Sequence, residues 1–149
     1  GKVYLILGSG LAGGRSSLEQ ADHAFLGENA SDFAGHAIAG AGDVDGDGLD
    51  DILVGAIGNS DGGSYAGKAY LFLGASLGSS ATIDLSTADY LFEGEETADK
   101  AGVSVAGVGD VDGDGLADVL VGTPYDSERG SLAGARWLTL ELVPSPGDL

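Results

Sequence analysis

The segment Asp43-Val44-Asp45-Gly46-Asp47-Gly48-Leu49-Asp50-Asp51 sets the interpretation of this chain, and it recurs as Asp110-Val111-Asp112-Gly113-Asp114-Gly115-Leu116-Ala117-Asp118. Each copy places aspartates at positions 1, 3, 5 and 9 and is followed by a short apolar run. Two carboxylates about 5 Å apart repel each other by roughly 3 kcal/mol at an effective dielectric constant of about 20. A folded loop that carries four of them therefore needs a cation.

Calcium is the cation that suits these loops best. Ca²⁺ accepts six to eight oxygen ligands in flexible geometry, whereas Mg²⁺ demands a near-ideal octahedron and keeps several waters. Gly48 and Gly115, at position 6, allow the positive φ of a sharp reversal. We expect two calcium sites per chain, each formed by four aspartate side chains and one leucine carbonyl. These ligands are Asp43, Asp45, Asp47, Asp51 and the Leu49 carbonyl in one loop, and Asp110, Asp112, Asp114, Asp118 and the Leu116 carbonyl in the other.

The loops differ from an EF-hand, although the opening of the pattern is shared. An EF-hand needs a bidentate glutamate at position 12 and flanking helices. Position 12 is Val54 or Val121 here, and the runs 52–56 and 119–123 are short, β-branched and bounded by glycine. Such runs are typical of buried strands. The acidic loops are therefore expected to join strands.

The bulk composition limits the classes of partner. The chain has 149 residues, a formal net charge of −18 and only six Lys and Arg residues. Such a charge argues against nucleic acid and anionic membrane surfaces, and no apolar run approaches the ~20 residues of a membrane span. The absence of cysteine excludes disulfides, a thiol nucleophile and zinc sites of the cysteine type.

An internal repeat with an offset of 67 residues organises the sequence. It aligns Asp43 with Asp110 and Gly55 with Gly122, and Gly1-Lys-Val-Tyr4 recurs as Gly67-Lys-Ala-Tyr70 and, more loosely, as Gly134-Ala-Arg-Trp137. A repeat of this length points to propeller or array architectures. Each unit contributes four strand-like pieces, predicted in the complete unit at residues 34–39, 51–55, 68–73 and 90–92. Four short strands joined by glycine-rich turns make a propeller blade.

The predicted fold class is thus all-β, with four-stranded antiparallel blades in an incomplete propeller of about two blades. We divide the chain into the second half of a blade (1–32), a complete blade with loop 43–51 (33–99), the first three strands of a further blade with loop 110–118 (100–142), and a linker-like tail (143–149). Because such a chain cannot close a ring alone, it is expected to be part of a longer chain. Head-to-tail assembly of copies into a homo-oligomer that completes the half blades is the alternative.

The order of acidic loop, strand and Gly-Lys-x-Tyr strand resembles the FG-GAP repeat, the blade unit of integrin alpha subunits and of many bacterial surface and secreted proteins. The resemblance covers nearly the whole chain and implies that the loop between the first two strands of a blade binds Ca²⁺. The name-giving pieces depart from the family pattern. Phe33-Ala-Gly35 and Lys100-Ala-Gly102 replace Phe-Gly, and Gly55-Ala-Ile57 and Gly122-Thr-Pro124 replace Gly-Ala-Pro.

One motif favours a different class of protein. Gly8-Ser-Gly10-Leu-Ala-Gly13 follows an apolar strand and satisfies the dinucleotide fingerprint GxGxxG. The equivalent segment of the next unit, residues 74–80, follows the same kind of strand without the fingerprint. A glycine-rich loop between blade strands is therefore the preferred interpretation, and a nucleotide-dependent enzyme is the third alternative.

The functional expectation is a non-enzymatic, calcium-binding FG-GAP propeller segment whose ions are structural. Sites in extracellular modules bind calcium at ~0.1 to 1 mM, so an extracellular location, secreted or at the cell surface, is expected. The expected role is adhesion or recognition of a protein or glycan ligand, without nucleic acid and without membrane insertion. The second alternative is the non-catalytic propeller portion of a secreted hydrolase, since similar repeats flank hydrolytic domains.

Overall fold

The computed structural model describes residues 1–11 and 17–125, and the strands within them form three sheets. The strands are β1 (Lys2–Leu5), β2 (His23–Leu26), β3 (Ala34–Gly42), β4 (Asp51–Ala56), β5 (Lys68–Phe72), β6 (Thr82–Asp84), β7 (Tyr90–Glu93), β8 (Ser104–Gly109) and β9 (Asp118–Gly122). In this part of the chain all helices are single 3-10 turns, at Gly8–Gly10, Leu18–Gln20, Gly74–Leu77 and Leu85–Thr87. The prediction of an all-β, incomplete propeller is confirmed.

The central sheet has the strand order β3-β4-β5-β7, and every pair in it is antiparallel. Its four strands lie at the four predicted pieces, although β3 runs three residues further, to Gly42, with register shifts along its pairing with β4. A sheet of order β1-β2-β6 stands on one side, and the pair β8-β9 stands on the other. The acidic segments 43–51 and 110–118 connect β3 to β4 and β8 to β9, so they join strands as predicted.

Strand β6 was not predicted from the sequence. It pairs in parallel with β2, so three residues between the third and fourth strands of the central sheet extend the preceding sheet. A strand of three residues is too short to show the period-2 alternation by which strands are recognised. Its middle residue, Ile83, packs against the core that contains Phe25 and Leu85. Because β6 lies between β5 and β7 in the chain, its pairing with β2 links the first sheet to the central one.

The middle strands of the central sheet, β4 and β5, are buried on both faces, which explains their continuous apolar runs. Alternate side chains enter two separate cores. The core toward the first sheet contains Phe25, Ala34, Val54, Ala56, Tyr70, Phe72 and Leu85. The core toward β8-β9 contains Ala41, Val44, Leu53, Leu71 and Val119. The rings of Phe25 and Phe72 meet across the first interface with centroids 5.0 Å apart and tilted by 60°, a favourable aromatic geometry.

Two sheets approach each other closely at Gly55 of β4. A Cβ atom built on Gly55 would collide with the carbonyl oxygen of Gly102, just before β8. Gly102 itself has φ +79° and lies against the carbonyl of Lys68, a conformation that an L side chain rarely adopts. Glycine at both positions therefore lets the two backbones approach each other.

A buried cation also fixes the central sheet to its neighbour. Lys68 of β5, whose side chain is 3% exposed, pairs with Glu28 at 3.2 Å, with Glu93 at 2.9 Å and with Asp61. The hydroxyl of Tyr70 donates to the same Glu28 oxygen at 2.8 Å. Because Glu28 follows β2 while Glu93 ends β7, the network joins the first sheet to the fourth strand of the central one. Burial lowers the pKa of Lys68, but its hydrogen bonds to the carboxylates more than offset that effect.

The pair of Lys68 and Asp61 is sensitive to acid. The hydrogen bond from Lys68 lowers the pKa of the Asp61 carboxyl below its ordinary value. The contribution of this pair to the free energy of unfolding is therefore present above the unfolded-state pKa, and it is lost as the pH falls through the folded-state pKa.

The predicted strand at Gly134–Trp137, the tail 143–149 and the last glycine of the motif 8–13 lie outside the described residues. The start of that motif, Gly8–Gly10, forms a 3-10 turn after β1, as Gly74–Leu77 does after β5. This equivalence is what a repeated loop between blade strands would produce. No helix in the described ranges has the length and apolar character to cross a bilayer. The division at residues 32, 99 and 142 stays a prediction.

We predict that Gly55→Ala lowers the free energy of unfolding by about 1–3 kcal/mol, because the new methyl group overpacks the close approach to Gly102. The matched control is Gly40→Ala in β3, where an added Cβ meets no atom within 4 Å. Its effect should stay within about 0.5 kcal/mol. Urea unfolding of both variants measures the difference, and equal midpoints would contradict the close approach of the two sheets.

We predict that Lys68→Ala lowers the free energy of unfolding by about 2 kcal/mol, since three carboxylates lose their shared cation. The value lies below that of a fully buried pair because Asp61 and Glu93 are 48% and 44% exposed and regain water. Lys2→Ala, at the equivalent and exposed position of β1, is the control and should cost less than about 0.5 kcal/mol. If Lys2→Ala proved as harmful as Lys68→Ala, the buried network would not be the cause.

Candidate metal centres in the two acidic loops

Loop 43–51 is wound around the side chain of its first residue. The Asp43 Oδ1 atom accepts hydrogen bonds from the backbone N–H groups of Gly46 at 2.7 Å and Asp47 at 3.1 Å, and Oδ2 accepts from Gly48 at 2.9 Å. Two shorter turns follow, since Asp45 accepts from Asp47 N–H and Asp47 accepts from Leu49 N–H. Gly46 and Gly48 have φ +80° and +87°, which explains the glycines at positions 4 and 6.

The ninth residue closes the loop from the strand side. Asp51, the first residue of β4, is 1% exposed, and its Oδ2 atom accepts from Val44 N–H at 2.8 Å. Its Oδ1 atom accepts from Gly74 N–H at 2.8 Å, just after β5. Burial raises the pKa of Asp51, and the nearby charges of Asp45 and Asp47 raise it further. The two hydrogen bonds lower the pKa, but the net shift is upward. A buried carboxylate with a raised pKa gains from an added positive charge.

Loop 110–118 repeats this arrangement. Asp110 accepts from the N–H groups of Gly113 at 2.6 Å and Asp114 at 3.0 Å through Oδ1, and from Gly115 at 2.8 Å through Oδ2. Asp118, the first residue of β9, accepts from Val111 N–H at 2.7 Å. The bonds from Asp114 N–H to Asp112 and from Leu116 N–H to Asp114 are also present. The two sequences therefore fold into the same loop.

The structure brings three carboxylates of each loop close together. One oxygen from each of Asp43, Asp45 and Asp51 lies within 4.8 Å of the others, and the same holds for Asp110, Asp112 and Asp114. Asp47 and Asp118 are not members of these groups. Asp47 occupies position 5, which Asp114 represents in the group of the second loop. Asp118 occupies position 9, which Asp51 represents in the group of the first loop. Taken over both loops, positions 1, 3, 5 and 9 all supply a clustered carboxylate.

The donor set fits a hard divalent cation. Every candidate side-chain ligand is a carboxylate, which is the ligand type that Ca²⁺ and Mg²⁺ prefer. An ionised carboxylate has about four lone-pair directions, so the N–H bonds to Asp43, Asp45, Asp47 and Asp51 leave acceptor directions on each of them. Backbone N–H groups hold the aspartate side chains of both loops in place. Neither loop contains a Lys or Arg residue that would neutralise the carboxylates.

Sequence reasoning identified the aspartates but missed what holds them in place. The hydrogen bond from Gly74 to Asp51 joins residues 23 positions apart, so no local pattern announces it. The bonds to the first aspartate were, in contrast, readable in principle. An aspartate followed by glycines at the fourth and sixth positions is typical of turns in which the side chain accepts backbone N–H groups.

The stacked sheets and the acidic loops that connect the first strand of a blade to the second define a class of protein, the β-propeller repeats. Residues 34–72 and 101–138 match the family described as FG-GAP repeat, and together they make up just over half of the chain. The chain belongs to the FG-GAP repeat family. Its 34–72 match begins at the start of β3 and ends with β5.

Integrin alpha proteins are similar to this chain in sequence. Integrin alpha-PS2 of Drosophila melanogaster is 34% identical over 109 residues, which cover 70% of this chain and 8% of that protein. Integrin alpha-5 of Xenopus laevis is 30% identical over 115 residues, covering 72% of this chain and 10% of that protein. Integrin alpha-IIb of Homo sapiens is 34% identical over 113 residues, again covering 72% and 10%. The chain thus spans about a tenth of the length of these relatives.

Proposed function

We propose that each acidic loop binds one Ca²⁺ ion and that the two ions serve the structure of an extracellular recognition module. The ligands would be the four aspartates and the leucine carbonyl of each loop: Asp43, Asp45, Asp47, Asp51 and Leu49 in one, and Asp110, Asp112, Asp114, Asp118 and Leu116 in the other. The observation that carries the proposal is that two segments 67 residues apart adopt the same hydrogen-bonded loop with three convergent carboxylates each.

The aspartates at positions 1 and 9 of each loop have different structural roles. Asp43 and Asp110 bind the backbone N–H groups that shape the loop. Asp51 and Asp118 anchor it to the following strand, since each accepts an N–H bond from the residue at loop position 2. The bound ion would neutralise charge that the folded loop otherwise concentrates. Folding and calcium binding are therefore linked, because the unfolded chain does not hold these carboxylates together.

Calcium is favoured over magnesium by the form of the loop. The candidate ligands come from a nine-residue, glycine-containing segment with several exposed positions, which suits the six to eight ligands and flexible geometry of Ca²⁺. Extracellular modules of this kind bind calcium at ~0.1 to 1 mM. This affinity range supports a location outside the cell, where the integrin resemblance also points.

The proposed role of the segment is recognition of a protein or glycan by the propeller to which it belongs. Membership in the FG-GAP family and similarity to integrin alpha proteins support adhesion as the setting. The net charge of −18 argues against nucleic acid as the partner. We propose no catalytic function for the segment, since its clustered carboxylates are accounted for by the two loops.

We predict that calcium raises the melting temperature of the chain. At a free calcium concentration 100 times the dissociation constant, each site would add about 2.7 kcal/mol to the free energy of unfolding. For two sites in a chain of this size, the expected shift is on the order of 10 °C. Calorimetry in calcium, in magnesium and in chelator measures it, and magnesium should give the smaller shift. The same midpoint in calcium and in chelator would refute a stabilising ion.

We predict that Asp45→Ala and Asp112→Ala each lose one of two bound ions per chain, because each removes the position-3 carboxylate of one loop. The matched control is Asp50→Ala, since Asp50 is exposed, lies outside the proposed ligand set and aligns with Ala117 of the other loop. Metal analysis after equilibrium dialysis at millimolar calcium counts the ions. Retention of both ions by Asp45→Ala, or loss of an ion by Asp50→Ala, would overturn the ligand assignment.

A further inference from the structure

The two acidic loops are joined by one peptide group. The N–H of Ala117 donates to the backbone carbonyl of Asp43 at 2.9 Å, so position 8 of the second loop is bonded to position 1 of the first. The carbonyl of that same peptide group belongs to Leu116, at position 7, which is the proposed main-chain ligand of the second ion. One planar unit therefore bonds to the backbone of the first loop and carries a proposed ligand of the second.

Side-chain packing reinforces this link. A Cβ atom built on Gly46 would lie 3.0 Å from Cδ2 of Leu116, and one built on Gly42 would lie 2.8 Å from Cβ of Ala117. Gly46 is the residue whose N–H donates to Asp43 Oδ1. Leu116 and Ala117 thus pack against the turn that shapes the first loop, and the glycines at positions 42 and 46 leave room for this contact.

We propose that the two loops bind calcium with positive cooperativity, transmitted through the peptide group between Leu116 and Ala117. This inference rests on the proposed function, since it requires that both loops bind the ion. The peptide group is rigid and planar, so an orientation of the Leu116 carbonyl that suits an ion also fixes the direction of the Ala117 N–H. That N–H holds the backbone of Asp43, whose side chain organises the first loop.

The coupling must act in both directions. If an ion in loop 110–118 favours the ordered form of Asp43, an ion in loop 43–51 favours the ordered form of the Leu116 carbonyl by the same factor. A polarised hydrogen bond from Ala117 N–H also makes the carbonyl of its own peptide group a better ligand. The expected factor is about fivefold, which is the contribution of one neutral hydrogen bond.

Repulsion between the two ions acts against this coupling. Most loop positions are exposed to solvent, where dissolved salt weakens the interaction between charges. We expect the structural link to outweigh the remaining repulsion at physiological salt, and the sign of the measured coupling tests this.

The chain contains a matched comparison for this link. Leu49 is the position-7 residue of the first loop, but it is 49% exposed, and its Cβ atom faces Gly74 beyond β5 of its own sheet. Leu116 instead contacts the neighbouring loop. Both proposed ligands at this position are main-chain carbonyls, so Leu116→Ala and Leu49→Ala each leave the ligand atoms in place. The two variants differ in that only Leu116→Ala removes a side chain that contacts the other loop.

The experiment is a calcium titration of the whole chain followed by amide NMR, with Gly46 and Gly113 as reporters of the two loops. We expect Asp112→Ala, which disables the second loop, to weaken calcium binding at Gly46 about fivefold. We expect Asp45→Ala to weaken binding at Gly113 by the same factor. Leu116→Ala should weaken the Gly46 response while both loops still bind, and Leu49→Ala should leave the Gly113 response unchanged.

The outcomes separate this inference from the proposed function. Unchanged affinity at Gly46 in Asp112→Ala, or tighter binding there, would overturn positive coupling while leaving two calcium sites. An equal effect of Leu49→Ala on Gly113 would overturn the route through Leu116. Absence of any calcium response in either loop of the unmodified chain would overturn both the coupling and the sites.

Discussion

The interaction on which this structure depends is the acceptance of three backbone N–H groups by the first aspartate of each acidic loop. Asp43 and Asp110 each take bonds from loop positions 4, 5 and 6, and the loop closes over them. Such bonds are strong because the acceptor is charged. The same bonds shape a loop in which three carboxylates lie close together, and this concentrates negative charge. The loop that connects two strands thereby becomes a candidate metal centre.

Stacking of sheets places further demands on the sequence. Since β4 and β5 are buried on both faces, they carry apolar residues at successive positions rather than at alternate ones. Where backbones cross closely, at Gly55 and Gly102, a side chain is excluded. Where a polar group is needed between sheets, Lys68 is surrounded by three carboxylates and stays charged. The acidic loops therefore extend from stacked sheets whose packing is fixed by these glycine contacts and by the ion pairs of Lys68.

Much of the fold could be predicted because its signals are local. The acidic segments, the apolar runs after them and the repeat offset predicted β3, β4, β5 and β7 close to where they lie. Features that depend on distant partners could not be predicted. The parallel pairing of β2 with β6 joins different repeat units, and the bond from Gly74 to Asp51 spans 23 residues. The burial of Lys68 likewise depends on Glu28, 40 residues away.

The candidate site shows the same division. The aspartate spacing predicted that carboxylates converge in each loop, and three of the four aspartates in each loop do so. The contact between the loops was not visible in the sequence. Ala117 and Asp43 are bonded only because β8 and β9 stack on the central sheet. A repeat architecture therefore does more than multiply a loop, since stacking also brings successive loops into contact.

The central claim is tested most directly by a crystal structure determined in the presence of ample calcium. The account predicts one ion in each loop, bound to aspartates at positions 1, 3, 5 and 9 and to the carbonyls of Leu49 and Leu116, with Asp43 and Asp110 still accepting their backbone N–H groups. Loops without ions at saturating calcium, or ions held by other residues, would contradict it.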